Sequence, residues 1–506
     1  GGPGADLLMG DGANHFYNFA EAGDVIVEES GGGSDWVTTE SASYTLAPHI
    51  ETLEGRASFS QALTGNAQAN RIIGTDYDDV LDGGAGDDTL EGGFGDDVFI
   101  VDSLGDSVVD FFGDHDEIRT TLATYTLAPN IEELTGLAAT GQSLTGNASA
   151  NVLTGGSGND ILDGGDGLDI LIGGAGNDSY IHGFGEEIIE LAGGGIDTVY
   201  TGEFHVLDDG VDNVVLTGTA SVNAIGNGLD NSMIGNAGRN IFDGLLGADR
   251  MEGGLGDDSY FVENAGDIVV ENANGGIDRV NSNIDYTLGT HVENLKLNGF
   301  EAVDGTGNAL ANEIAGNDQA NILDGRGGAD ELEGFGGDDT YVVDNAGDVV
   351  IEHAAGGTDT VRSSITRILG DHVENLVLTG ALAVNGTGNG LANSLTGNAG
   401  ANRLDGGAGA DAMAGGAGND IYVVDDALDQ AVEASGAGKD QVRSSVTFTL
   451  GAQVEQLVLT GLAAIDGTGN GLNNFLTGNA AANRLDGQGG ADGLAGGGGE
   501  GNHVRG

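Results

Sequence analysis

The chain contains no cysteine, 3 prolines and a single tryptophan, Trp36, among 506 residues. Without cysteine, no disulfide framework can substitute for a hydrophobic core. Aromatic residues make up 5%, too few for the three or four globular cores that such a length ordinarily suggests. Proline scarcity excludes collagen despite 97 glycines, and no strict G-X-Y period is present. No run approaches the ~18 apolar residues of a membrane-spanning helix, and the first residues, GGPGADLLMGDG, lack the basic and apolar regions of a signal peptide. A soluble chain with no transmembrane segment is expected, exported by another route or as part of a larger precursor.

Positive charge is equally scarce. Lys plus Arg number 15 against 81 Asp plus Glu, a formal net charge of −66. Such a chain repels itself in water, so it is either disordered or neutralised by bound cations, and nucleic acid and anionic membrane surfaces are poor partners for it.

What the sequence has in abundance is repetition. Residues 83–100 read GGAGDDTLE and then GGFGDDVFI, two copies of GGxGxDxUx in which U is a large apolar residue. Six positions supply glycines for a tight loop with an aspartate at its end, and x-U-x suits a short strand with one inward side chain. The aromatic closing each cluster of copies falls at Tyr17, Phe99, Tyr180, Tyr260, Tyr341 and Tyr422, a period of about 81. These aromatics occupy the U position and are expected in the core rather than as sugar platforms. The expected organisation is one continuous solenoid of six units, 1–82, 83–163, 164–243, 244–324, 325–405 and 406–486, with a partial unit 487–506. Gly1 and Gly487 are in phase, so the chain starts and stops within a repeat. It is expected either to be a fragment of a longer protein or to associate head to tail with further copies.

Within a unit the copies change character. Asn312 and Asn321 precede Asp330 and Asp339, as Asn231 and Asn240 precede Asp249 and Asp258, and Asn393 and Asn402 precede Asp411 and Asp420. A spacer of about 45 residues follows, alternating as strands do at 349–352, 360–365 and 373–378, and nothing in it reads as a long amphipathic helix. The fold class is therefore all-β, a parallel β-roll or β-solenoid in which two nonapeptides make one coil.

Hard divalent cations take six to eight oxygens from carboxylates, carbonyls and water. With same-edge loops 18 residues apart, Asp79 shares an edge with Asp97, and Asp160 with Asp178, so a cation between stacked loops is held by both. The candidate metal ligands are Asp6, Asp79, Asp88, Asp97, Asp160, Asp169, Asp178, Asp249, Asp258, Asp330, Asp339, Asp411, Asp420 and Asp492. Where an aspartate faces an asparagine, as Asp258 faces Asn240 and Asp249 faces Asn231, the amide is expected to supply an oxygen but less charge, giving a weaker site. Asp35, Asp116, Asp197, Asp278, Asp359 and Asp440 recur in the spacers, either as further ligands or as solvated turn caps. The acid pairs Asp267/Glu271 and Asp348/Glu352 read as solvated strand faces, and Glu293 and Glu374 of the VENL phrase as outward. Trp36 is also expected to face outward, because its equivalents are polar, while Val37, Ile118 and Val199 point in.

These repeats, with their VENLxLTG and GTGN spacer phrases, resemble the RTX, or haemolysin-type, calcium-binding repeat family of the long-repeat kind. The resemblance is most specific over residues 74–100, 155–181, 325–342 and 406–423. It implies a β-roll, several calcium ions between same-edge loops, Gram-negative type I secretion, and folding outside the cell. No HExxH, GxSxG or P-loop motif occurs, and repeated acid pairs lack the unlike environments that separate acid from base. His49, His291 and His372 recur, but Asn130, Gly210 and Gln453 hold the equivalent positions, which argues against catalysis or zinc. The expectation is a non-enzymatic extracellular, secreted or cell-surface scaffold: a rod, surface-layer element, adhesin stalk or filament that folds on binding calcium. The alternatives are a non-catalytic module of a larger secreted enzyme, or a module binding anionic polysaccharide through calcium bridges.

Overall fold

The computed structural model describes residues 2–18, 20–21, 23–31, 33–110, 115–191, 193–499 and 501–506; Gly1, which opens the first repeat, lies outside them. Every regular element among the described residues is a short β-strand, and every strand pairing is parallel. Strands pair with the next but one in sequence, so two strands make each coil and the chain is a β-solenoid. It divides into two compact units, Gly1–Gly254 with Gly266–Ile268, and Leu255–Ala265 with Val269–Gly506.

In the first unit the nonapeptide strands Val80–Asp82 and Val98–Val101 stack with a register of 18, Leu81 lying opposite Phe99. Leu63, Leu81, Phe99, Ile118, Leu134, Leu153 and Leu171 form one fully buried file at successive coils of a single sheet. Adjacent strands of a sheet lie about 4.8 Å apart, so each coil adds one apolar side chain to a continuous core. Val37, Ile118 and Val199 point inward as their sequence pattern requires. Trp36 is half-buried on the outer side of its strand, its indole N–H donating to Glu54 Oε2 at 3.1 Å.

In the second unit Thr340 pairs with Thr360, Thr360 with Asn375, Asn375 with Ser394, and Ser394 with Ala412. The spacer therefore forms coils of the same sheets, of 20, 15 and 19 residues before the 18-residue nonapeptide coil resumes. Strands occur at 349–351, 360–363 and 375–378, within a few residues of the expected spans.

His49, His291 and His372 have φ of 69°, 70° and 66°, and their equivalents Asn130, Gly210 and Gln453 have 66°, 95° and 68°. A left-handed turn residue is needed there, a conformation that Gly and Asn adopt most readily, which explains the interchange without any chemical role.

Candidate metal centre

Carboxylates line the edges of the solenoid as a ladder. Asp79 N–H donates to Asp97 Oδ1 at 2.7 Å, Asp97 N–H to Asp116 Oδ1 at 2.8 Å, and Asp116 N–H to Glu132 Oε2 at 3.1 Å. Other runs are the same: Asp160 to Asp178 to Asp197, Asn321 to Asp339 to Asp359 to Glu374, and Asn402 to Asp420 to Asp440 to Glu455. Asp88, Asp169, Asp249, Asp330, Asp411 and Asp492 each accept the N–H of the residue 18 earlier. Asp6 stands apart: it is half-buried and its Oδ2 accepts Gly2 N–H.

One oxygen per aspartate is thereby spent, and the other is the informative one. The Oδ2 atoms of Asp88, Asp97, Asp160, Asp169, Asp178, Asp249, Asp330, Asp339, Asp411, Asp420 and Asp492 are buried with no hydrogen-bond partner. An unpartnered buried carboxylate oxygen is costly, and a bound cation is the usual remedy. Burial pushes Asp88, Asp249 and Asp330 up to about 6 and Asp97 and Asp339 up to about 7, with neighbouring carboxylates adding to the effect.

The nonapeptide glycines create this arrangement. A β-carbon at position one would collide with Oδ2 of the loop's own aspartate, at Gly83 with Asp88, Gly92 with Asp97 and Gly325 with Asp330. Position two is left-handed in every aspartate loop bearing such an oxygen, from Gly84 at 75° to Arg326 at 57° and Phe335 at 71°. That twist turns its N–H away from the aspartate: Gly84 donates to Asp82 and Arg326 to Asp324 instead.

Asparagine copies do the opposite. Position two is Asn308 or Asn317, outside the left-handed region, and its N–H donates to Asn312 or Asn321 Oδ1 at 2.8 Å. The amide nitrogen of Asn312 donates to Val292 O and that of Asn321 to Val303 O. Each amide oxygen thus already accepts one hydrogen bond, and each amide nitrogen is used within the protein. Asp79 is intermediate: with Thr75 at position two, its Oδ2 accepts both the N–H and the hydroxyl of Thr75, at 2.6 and 2.9 Å.

The spacer acids are more integrated than their sequence suggests. Asp35, Asp116, Asp197, Asp278, Asp359 and Asp440 are all buried on the ladder, so none is a solvated turn cap. Glu293 and Glu374 are half-buried, each accepting the N–H of a spacer aspartate, and are not outward. Asp348, Glu271 and Glu352 are also buried, which overturns the solvated-face reading: Asp348 accepts Asp330 N–H, and the two glutamates accept the hydroxyls of Tyr260 and Tyr341. The aromatics are core residues as expected, but five of them also carry this polar handle, as Tyr17 does with Glu28, Tyr180 with Glu190 and Tyr422 with Glu433. The missed signal was a fixed interval, each acid following its aromatic by 10 or 11 residues.

An all-oxygen, carboxylate-rich array with buried unpartnered atoms fits a hard cation such as calcium and suits neither thiolate- nor imidazole-preferring metals. Against known proteins, residues 64–99, 145–180, 225–260, 306–350, 387–422 and 468–501 match the RTX calcium-binding nonapeptide repeat. No curated protein matches the chain. The chain thus carries haemolysin-type RTX calcium-binding repeats in six blocks, folded as a parallel β-solenoid.

Proposed function

We propose that the protein is a non-enzymatic extracellular scaffold whose fold is completed by calcium. The observation that carries this reading is the series of buried, unpartnered Oδ2 atoms, from Asp88 to Asp492, on a chain of net charge −66. Without metal these carboxylates oppose folding, both by desolvation and by mutual repulsion. With metal, binding free energy becomes folding free energy. RTX proteins are exported, and repeated loops offering one or two carboxylates each suit the sub-millimolar to millimolar affinities of extracellular calcium modules. Inside a cell, where free calcium is far lower, the same chain stays expanded and remains competent for export.

Circular dichroism and small-angle scattering of the full chain test this directly. Addition of calcium to about 1 mM should produce a coil-to-β transition with a fall in the radius of gyration. A chain equally folded and compact in chelator at neutral pH overturns the proposal.

A further inference from the structure

We infer that each of the four units in which a buried tyrosine–glutamate pair faces two aspartates holds a second kind of cation site, built from three carboxylates and closed by a spacer glutamate. In one such site the ligand atoms of Asp178, Glu190 and Asp197 lie within 4.8 Å of one another. The same arrangement recurs as Asp258, Glu271 and Asp278, and as Asp339, Glu352 and Asp359. The glutamate's position explains the recurrence. Between ordinary nonapeptide coils, the space over a position-one glycine is taken by the position-one carbonyl of the next coil, as Gly164 O lies over Gly146. At the last nonapeptide of a block the next coil is spacer and has no such loop. Over Gly173 stand instead Glu190 Oε1, Tyr180 Oη and Asp178 Oδ2, and over Gly415 stand Glu433 Oε1, Tyr422 Oη and Asp420 Oδ2. The glutamate thus provides an oxygen where the backbone ceases to provide one.

A second observation points to a ligand. Asp178 and Asp197 are each 1% exposed, and the Oδ2 of each has no hydrogen-bond partner. Asp339 and Asp359 repeat this at 1% and 0%. Tyrosine donates one proton to the glutamate and cannot balance three acids. Among the described residues, no lysine or arginine pairs with Asp178, Asp197, Asp339 or Asp359; Arg71 and Arg250 instead pair with Glu91 and Glu252 at the surface.

The first unit supplies an internal control. His15 stands where Asp97 stands one unit later, and its Nδ1 lies 3.0 Å from Glu28 and 3.4 Å from Asp35. Where the third carboxylate is missing, a side chain able to carry positive charge occupies the middle of the remaining pair. In the second unit the aromatic is Phe99 and the acid shortens to Asp110, which Gly93 N–H holds at 3.2 Å; its carboxylate still lies within 4.8 Å of those of Asp97 and Asp116, so the three acids converge there without a hydroxyl. Glutamate occurs with tyrosine and aspartate with phenylalanine, as expected if the hydroxyl orients a ligand.

Three convergent carboxylates give these sites more charge than an ordinary loop, and affinity for calcium rises with ligand charge. They should fill first. This inference rests on the calcium reading above for the identity of the ion, and the test separates the two. Calcium bound per full chain is counted by equilibrium dialysis at 1 mM calcium for the natural sequence and for a variant carrying Glu190→Gln, Glu271→Gln, Glu352→Gln and Glu433→Gln. Glutamine still accepts the tyrosine proton, so the coils are retained. The count should fall by four, with the calcium-induced circular dichroism unchanged. An unchanged count with unchanged affinity overturns the inference while leaving the scaffold reading intact; a natural chain that binds no calcium overturns that reading instead. Should the quadruple variant fail to fold, Glu352→Gln alone should lose one ion. A terbium titration of the natural chain gives an independent reading: tyrosine-sensitised emission should saturate in the tightest phase at four ions per chain, and emission growing only with the weaker, later ions overturns the site.

Discussion

At the scale of a residue, position two of the nonapeptide decides whether a loop needs metal. Left-handed Arg326 sends its N–H to Asp324 and leaves Asp330 Oδ2 without a partner, whereas Asn317 gives its N–H to Asn321. Changing the acid alone should therefore not create a site. Asn321→Asp loses the donor to Val303 O but keeps Asn317 N–H on its oxygen, so it should bind no extra calcium. It should raise the calcium concentration needed for folding, in line with the ~1–3 kcal/mol cost of an unsatisfied buried polar group. The pair Asn317→Gly and Asn321→Asp should add one ion by equilibrium dialysis. An added ion in the single variant would show that position two does not gate the loop. Position one is equally constrained: Gly173→Ala puts a methyl on Asp178 Oδ2, Glu190 Oε1 and Tyr180 Oη, and should remove one tight ion from the calcium count.

At the scale of elements, the nonapeptide strands and their 18-residue register were readable because each carries one apolar residue at a fixed place in a fixed loop. The buried acids of the spacer were not. Asp348 and Glu352 are four apart on a short apolar strand, a pattern that period-two alternation assigns to one solvated face. What the alternation misses is the neighbouring coil and the core ring: Asp348 accepts the N–H of Asp330, 18 residues earlier, and Glu352 accepts the Tyr341 hydroxyl, information carried by stacking and not by polarity. Tyrosine hid a second role in the same way, since a core ring and a hydroxyl aimed at Glu352 look alike in sequence. Burial and the adjoining carboxylates hold the Tyr341 hydroxyl well above its ordinary pKa, so it remains a donor. Tyr341→Phe keeps the ring and should weaken one tight site by ~10–100-fold, the usual effect of losing an outer hydrogen bond to a metal ligand. Equilibrium dialysis of this variant against calcium should show one late-filling site, and an unmoved isotherm would assign the hydroxyl to packing alone.

At the scale of the molecule, an 81-residue unit is nine half-coils, and nine is odd. Tyr341 and Tyr422 consequently fall in different sheets, as Phe99 and Tyr180 do, so successive units within each compact unit present the three-acid cluster on alternate edges. Charge is thereby shared between the two edges, but not cancelled, and the metal-free fold must manage it with protons. Asp97, Asp278 and Asp339 are pushed up to about 7 by burial, as are Glu190 and Glu433, and Asp178 and Asp359 to about 6. Their unfolded values lie near 4. Between those limits the folded chain holds protons that the unfolded chain has released, so the stability these groups contribute is complete below pH about 4 and is lost as pH rises through about 6 to 7. Metal-free protein should therefore gain β-structure when taken from pH 8 to pH 5, and lose it again on return. Calcium replaces these protons, so its binding at pH 7 should release protons into a weakly buffered solution, and its affinity should fall on acidification. Circular dichroism of the metal-free chain across this range, paired with a pH-stat calcium titration, checks both effects. A metal-free chain that stays expanded at pH 5, or calcium binding without proton release at pH 7, would show that the buried carboxylates do not control the fold.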